Sequence, residues 1–153
     1  MRIIYIIIAL LVSACSGITD NSEHNYTINN QTNNSEDFSI FWRQYREKVL
    51  KHDIIWLKLN TVFPLTVKGR QDTDTIYKIS NSDFENVFDL FLKTKTDMEY
   101  GTNLEYIKVT KESNAENHDG WPSNYRRMNE MIFYFTGNDW KLAEIYMDMK
   151  KHP

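Results

Sequence analysis

Asp37-Phe38-Ser39-Ile40-Phe41-Trp42-Arg43-Gln44-Tyr45-Arg46-Glu47-Lys48-Val49-Leu50, then Lys51-His52-Asp53-Ile54-Ile55-Trp56-Leu57, then Val62-Phe63-Pro64-Leu65-Thr66-Val67-Lys68-Gly69 are the runs that decide the fold. Phe38, Phe41, Trp42, Tyr45, Val49 and Leu50 recur at the spacing of one helical face, and Arg43, Gln44, Arg46, Glu47 and Lys48 take the other. Ser35 is the expected N-cap, with Glu36 and Asp37 placing negative charge at the positive end of the helix dipole. Lys51-His52-Asp53 breaks the helix, and Ile54, Ile55, Leu57 and Leu59 resume a short apolar helix. Pro64 pushes Phe63 into extended geometry, so a strand with proline at its start is expected through Leu65 and Val67, ending at Gly69. The aromatic stripe reads first as core, the usual use of rings at helical spacing.

Further along, Ser82-Asp83-Phe84-Glu85 has the spacing of a capping box. Phe84, Val87, Phe88, Phe91 and Leu92 then mark a second amphipathic helix that ends near Lys93 to Lys95. Ile76 to Ile79 and Leu104 to Thr110 read as strands. Met128 to Phe135 reads as a strong strand, Gly137-Asn138-Asp139 as its turn, and Trp140 to Met149 as its partner. Both faces of this closing hairpin carry apolar residues, as in a sheet covered by helices on one side and by something else on the other. Phe41, Trp42, Tyr45, Phe88, Phe91, Phe133 and Leu142 are expected to meet in one core.

Three segments follow from composition. Met1 to Ala14 pairs Arg2 with an apolar run, Ile3 to Val12, and small residues, the pattern of a signal peptide. Residues 15–35 are rich in Asn, Ser and Thr and have little to bury, so they read as a tether. Residues 36–150 read as one folded domain with 14% aromatic residues across the chain. The net charge of −3, with both signs mixed and no basic block, argues against a nucleic-acid partner.

Two resemblances carry the functional expectations. Val12-Ser13-Ala14-Cys15 resembles a bacterial lipobox, and Cys15 is the chain's single cysteine. The resemblance implies lipid on Cys15 and a membrane anchored through it. Ser16 stands where an aspartate typically retains such proteins at the inner membrane, so the outer membrane, facing the periplasm, is favoured. The aromatic helix, the Lys51-His52-Asp53 break, Phe63-Pro64-Leu65-Thr66-Val67 and the Trp140-Lys141-Leu142 ending resemble bacterial envelope proteins of the nuclear transport factor 2-like superfamily, over roughly Asp37 to Met149. That implies an α+β fold: N-terminal helices on a curved, mostly antiparallel sheet, a cone-shaped roll. Its motifs mark packing, not chemistry, and its members include isomerases, dehydratases and non-catalytic binders.

Candidate chemistry is sparse. His24, His52, His118 and His152 have no metal-ligand spacing with one another or with a cysteine, so no metal and no cofactor is implied. No phosphate-binding glycine loop or serine nucleophile elbow occurs. His118-Asp119 is an acid–base pair on paper, but adjacent loop residues seldom face one site, and no catalytic residue is assigned. Trp121, Tyr125, Arg126 and Arg127 are the expected binding residues, lining a pocket rim or a partner-binding edge, because Trp, Tyr and Arg dominate hot spots. Two functions stay open. One is a non-catalytic, periplasm-facing lipoprotein that binds a protein or a small apolar ligand, an immunity-type protein included. The other is a pocket enzyme of the isomerase or dehydratase kind. A buried ionisable pair in the pocket would favour the enzyme; an apolar or filled pocket and an exposed aromatic patch would favour the binder.

Overall fold

The computed structural model describes residues 38–96, 101–111 and 122–149. Among them lie four helices, α1 (38–50), α2 (Ile54–Leu59), α3 (Phe84–Lys93) and α4 (Asn103–Val109). The five strands are β1 (Thr61–Lys68), β2 (Tyr77–Ile79), β3 (Tyr125–Met128), β4 (Met131–Phe135) and β5 (Trp140–Tyr146). The strands form one unclosed sheet in the order β2-β1-β5-β4-β3. β1 runs parallel to β5, and the other three pairings are antiparallel. The fold is therefore α+β, helices packed on a curved, mostly antiparallel sheet. Curvature has a local cause: the register shifts between Thr61 and Thr66 on β1 and between Ile132 and Phe133 on β4, and such bulges bend a sheet.

The aromatic stripe of α1 lies on the sheet. The Phe133 ring on β4 sits 5.6 Å from Phe38, 5.6 Å from Phe41, 6.1 Å from Trp42 and 5.1 Å from Tyr45, each time edge-on. Edge-to-face contact sets the electron-poor rim of one ring against the electron-rich face of another, so these contacts add to simple burial. Phe41, Trp42, Tyr45, Phe88, Phe91, Phe133 and Leu142 all belong to one buried cluster, as expected. Arg46 fixes α4 against α1: its Nε donates to the Ile107 carbonyl and its Nη2 to that of Lys108, both at 2.7 Å. The last carbonyls of α4 have no partner within the helix, and a cation suits that end of the dipole.

His52 ends α1 in the left-handed region, at φ 53°, and Asp53 caps α2 by accepting from the Trp56 amide at 3.2 Å. Only Leu57 of α2 is fully buried, while Ile55 and Leu59, one turn apart, are 77% and 68% exposed.

Four local expectations are corrected. Leu104 to Thr110 is not a strand but most of α4. Its alternation also fits a helix that buries Tyr106 and Ile107, and the true capping box starts it: Thr102 accepts from the Glu105 amide while Glu105 accepts from that of Thr102. Ser82 and Glu85 form no such box. Asp83 is the N-cap of α3, and its carboxylate is taken by the Ser80 hydroxyl at 2.6 Å instead of the helix amides. Pro64 lies inside β1, not at its start. There β1 advances five residues while β5 advances two, so a residue without an N–H forfeits no ladder bond. Met128 to Phe135 is not one strand: Asn129, at φ 52°, and Glu130 turn the chain between β3 and β4. Tyr125, Arg126 and Arg127 therefore sit on a strand, not on a loop leading to one.

Candidate functional site

Strand alternation sorts the sheet into two faces. Toward the helices point Leu65 and Val67 of β1, Met128 of β3, Met131 and Phe133 of β4, and Trp140, Leu142 and Ile145 of β5, all in the buried cluster. The opposite face carries no described helix. Its central rung crosses all five strands through paired positions: Lys78, Thr66, Glu144, Ile132 and Arg127. Tyr125, Tyr134 and Lys141 form the rung on one side, and Lys68 and Tyr146 that on the other.

This open face has its own packing. Ile132 is 3% exposed yet stands outside the main cluster. Tyr125 and Tyr134 meet edge-on, with centroids 5.4 Å apart. The Arg127 guanidinium lies 5.3 Å from the Tyr146 ring, in cation–π contact, while its Nε donates to the Asn129 carbonyl at 2.8 Å. Lys68 pairs with Glu144, and Lys78 donates to the Thr66 hydroxyl at 2.7 Å. Partial burial pushes the Tyr125 phenol up to about 12, with Arg127 pulling the other way. Burial raises Tyr134 too, assisted by the Glu144 carboxylate. The Lys68 amine is raised by its hydrogen bond to Glu144. Each of these shifts raises a group that already titrates well above pH 7. None of them moves a group toward pH 7, where acid–base catalysis would want it.

The expected site residues divide. Tyr125 and Arg127 share the open face. Arg126, one residue on, turns the other way: it is 3% exposed, lies 5.3 Å over the Trp140 ring, and donates to the carbonyls of Ser123 and Tyr125. Burial there lowers its pKa. Trp121 lies outside the described residues, as do Cys15, His118 and Asp119. The sequence reading missed Lys68, Tyr134, Glu144 and Tyr146. For Tyr134 and Tyr146 the signal was the apolar and aromatic character of both faces of the closing hairpin; for Lys68 and Glu144 there was none in the local pattern.

The remaining features are less suited to chemistry. The layer between helices and sheet is filled by rings, and the Tyr45 hydroxyl inside it has no hydrogen-bond partner among the described residues. A groove of about 470 Å³ opens between α1, α2 and the β4–β5 turn, with Phe41, Trp56, Phe135 and Trp140 as its apolar wall and Gln44, Asn60 and Asp139 among its polar residues. His52 pairs with Asp89 at 3.0 Å, both well exposed, across the α1–α2 turn and α3. Glu130, 5% exposed, accepts from Arg70 at 2.5 Å and from Asn103 at 3.2 Å, tying together the loop after β1, the start of α4 and the β3–β4 turn. Among the described residues no group of His, Cys, Asp and Glu could hold a metal, and no helix is long and apolar enough to cross a membrane.

No protein-family model, curated protein or solved structure matches the chain.

Proposed function

We propose that this chain is a lipid-anchored envelope protein with a nuclear transport factor 2-like roll, whose work is to bind a partner protein through the open face of its sheet. Cys15 carries the lipid, residues 15–35 are the tether, and the domain faces the periplasm from the outer membrane. The observation behind the binding reading is the open face itself: Tyr125, Tyr134 and Tyr146 gathered around Arg127, on a side of the sheet that no described helix covers. Tyr and Arg combine large contact area with polar ends, and this makes them frequent energetic centres of interfaces. The groove on the helix side also supports binding over pocket chemistry, because its lining holds rings, amides and a single carboxylate, Asp139, with no ionisable pair.

Two measurements test this. The mass of the protein isolated from its own membranes should include a lipid on Cys15, and an unmodified thiol there ends the anchoring claim. A photoreactive phenylalanine in place of Tyr134 should give a discrete protein adduct in intact cells, while the same group in place of the exposed Arg43 on α1 should not. Adducts at Arg43 alone would move the working surface elsewhere.

A further inference from the structure

The open face is charged unlike the rest of the chain. At its paired strand positions it carries Lys68, Lys78, Arg127 and Lys141 against one carboxylate, Glu144, among the described residues. The chain as a whole is at −3, while these described positions carry an excess of cations. Its one carboxylate is already taken by Lys68. Lys78 is held by a hydroxyl, and Arg127 by a carbonyl and a ring. Neither these two nor Lys141 has a carboxylate partner among the described residues.

From this charge pattern we infer that the face recognises an acidic protein surface, an inference that rests on the binding function proposed above. Geometry sets the scale of the partner. Lys78 and Arg127 stand on the two edge strands, four strand spacings apart, which is about 19 Å. No single small anion spans that distance; several carboxylates spread over a surface do. The Tyr125 and Tyr134 rings meet edge to face at 74°, leaving no shared flat platform for nucleotide bases to stack on, so the geometry favours protein over nucleic acid. Glu144 works with this arrangement. By holding Lys68 it fixes one cation in place, and as the one acid at these paired positions among the described residues it leaves little repulsion for incoming carboxylates. Steering by such a face raises the association rate and weakens with salt.

The test uses the full-length mature protein and a fluorescent 15-residue polyglutamate as probe. Binding should saturate and weaken as salt rises. Arg127→Glu together with Lys141→Glu should weaken it at least tenfold, with the unfolding midpoint unchanged as a fold control. Arg43→Glu together with Lys93→Glu makes the same charge change on exposed helix positions and should leave binding intact. Equal losses in the two double variants, or no binding by the wild type, would overturn the inference. Tighter binding of a 15-nucleotide single strand than of the peptide would overturn the choice of protein over nucleic acid. If the adduct at Tyr134 instead proves to be a basic protein, the inference fails while the binding function stands. If Tyr134 gives no adduct, the binding function fails first.

Discussion

Replacing Glu130 should destabilise the domain although it is a charged residue outside the hydrophobic cluster. Its carboxylate is almost fully buried, and one oxygen takes the Arg70 guanidinium at 2.5 Å while the other takes the Asn103 amide at 3.2 Å. Breaking a buried ion pair from one side typically costs about 3–5 kcal/mol, because the remaining charge is left uncompensated. Two facts reduce that here. The Arg70 side chain keeps 35% of its exposure and can turn to water, and its Nη2 also donates to the Lys95 carbonyl at 2.7 Å. Asn103 likewise retains its bond to the Phe91 carbonyl at 3.1 Å. Glu130→Ala should therefore cost about 2–3 kcal/mol, near the value of hydrogen bonds to a charged group. Glu130→Gln keeps the shape and an acceptor for Asn103, so it should cost about half as much on the same scale. Urea unfolding followed by tryptophan fluorescence reads both. If the alanine variant is as stable as wild type, the network is ornament; if glutamine costs as much as alanine, the ion pair rather than the geometry carries the energy.

Phe133→Ala should cost about 3–5 kcal/mol, since its ring meets four aromatics of α1, and an unchanged melting midpoint would remove it from the centre of the core. Tyr45→Phe should leave stability unchanged or raise it by about 1 kcal/mol, because it deletes a buried hydroxyl without a described partner; a loss beyond that on denaturation shows that the hydroxyl is bonded. Above pH 10 stability should fall, since the Tyr125 phenol is raised to about 12 in the fold and ionises near 10 when unfolded. That contribution is fully present below pH 10 and lost as pH climbs through 12, and the absorbance of tyrosinate in wild type against Tyr125→Phe reads it.

Sequence periodicity made α1, α3 and the closing hairpin legible because each buries one face against a single partner layer. Phe38, Phe41, Trp42 and Tyr45 repeat at the helical spacing, and nothing in tertiary structure overrides it. α4 was not legible, because Leu104 to Thr110 is short enough for two periods to fit, and only the Thr102–Glu105 spacing at its start separates them. The turn at Asn129-Glu130 hid inside an apolar run for a related reason. Asn129 and Glu130 are its only polar marks between Met128 and Met131, and their side chains bond to Asn103 on α4, a contact that the local sequence does not announce. In the site, Arg126 and Arg127 looked equivalent along the sequence, yet once both lie on β3 the pleat sends one into the core side and the other to the open face. Lys68 and Glu144 come together only because β1 runs parallel to β5, a pairing between segments more than seventy residues apart that local pattern cannot reveal.

The most direct test of the open face as the working surface separates binding from folding. Arg127→Ala combined with Tyr146→Ala removes the cation–π pair from the exposed side of the sheet while leaving the aromatic core untouched. The expected result is a loss of about 2 kcal/mol or more in affinity for the protein captured at Tyr134, the scale of an interface hot spot, with an unfolding midpoint close to wild type. Undiminished affinity in a folded double variant, or a midpoint that drops in step with affinity, would contradict it.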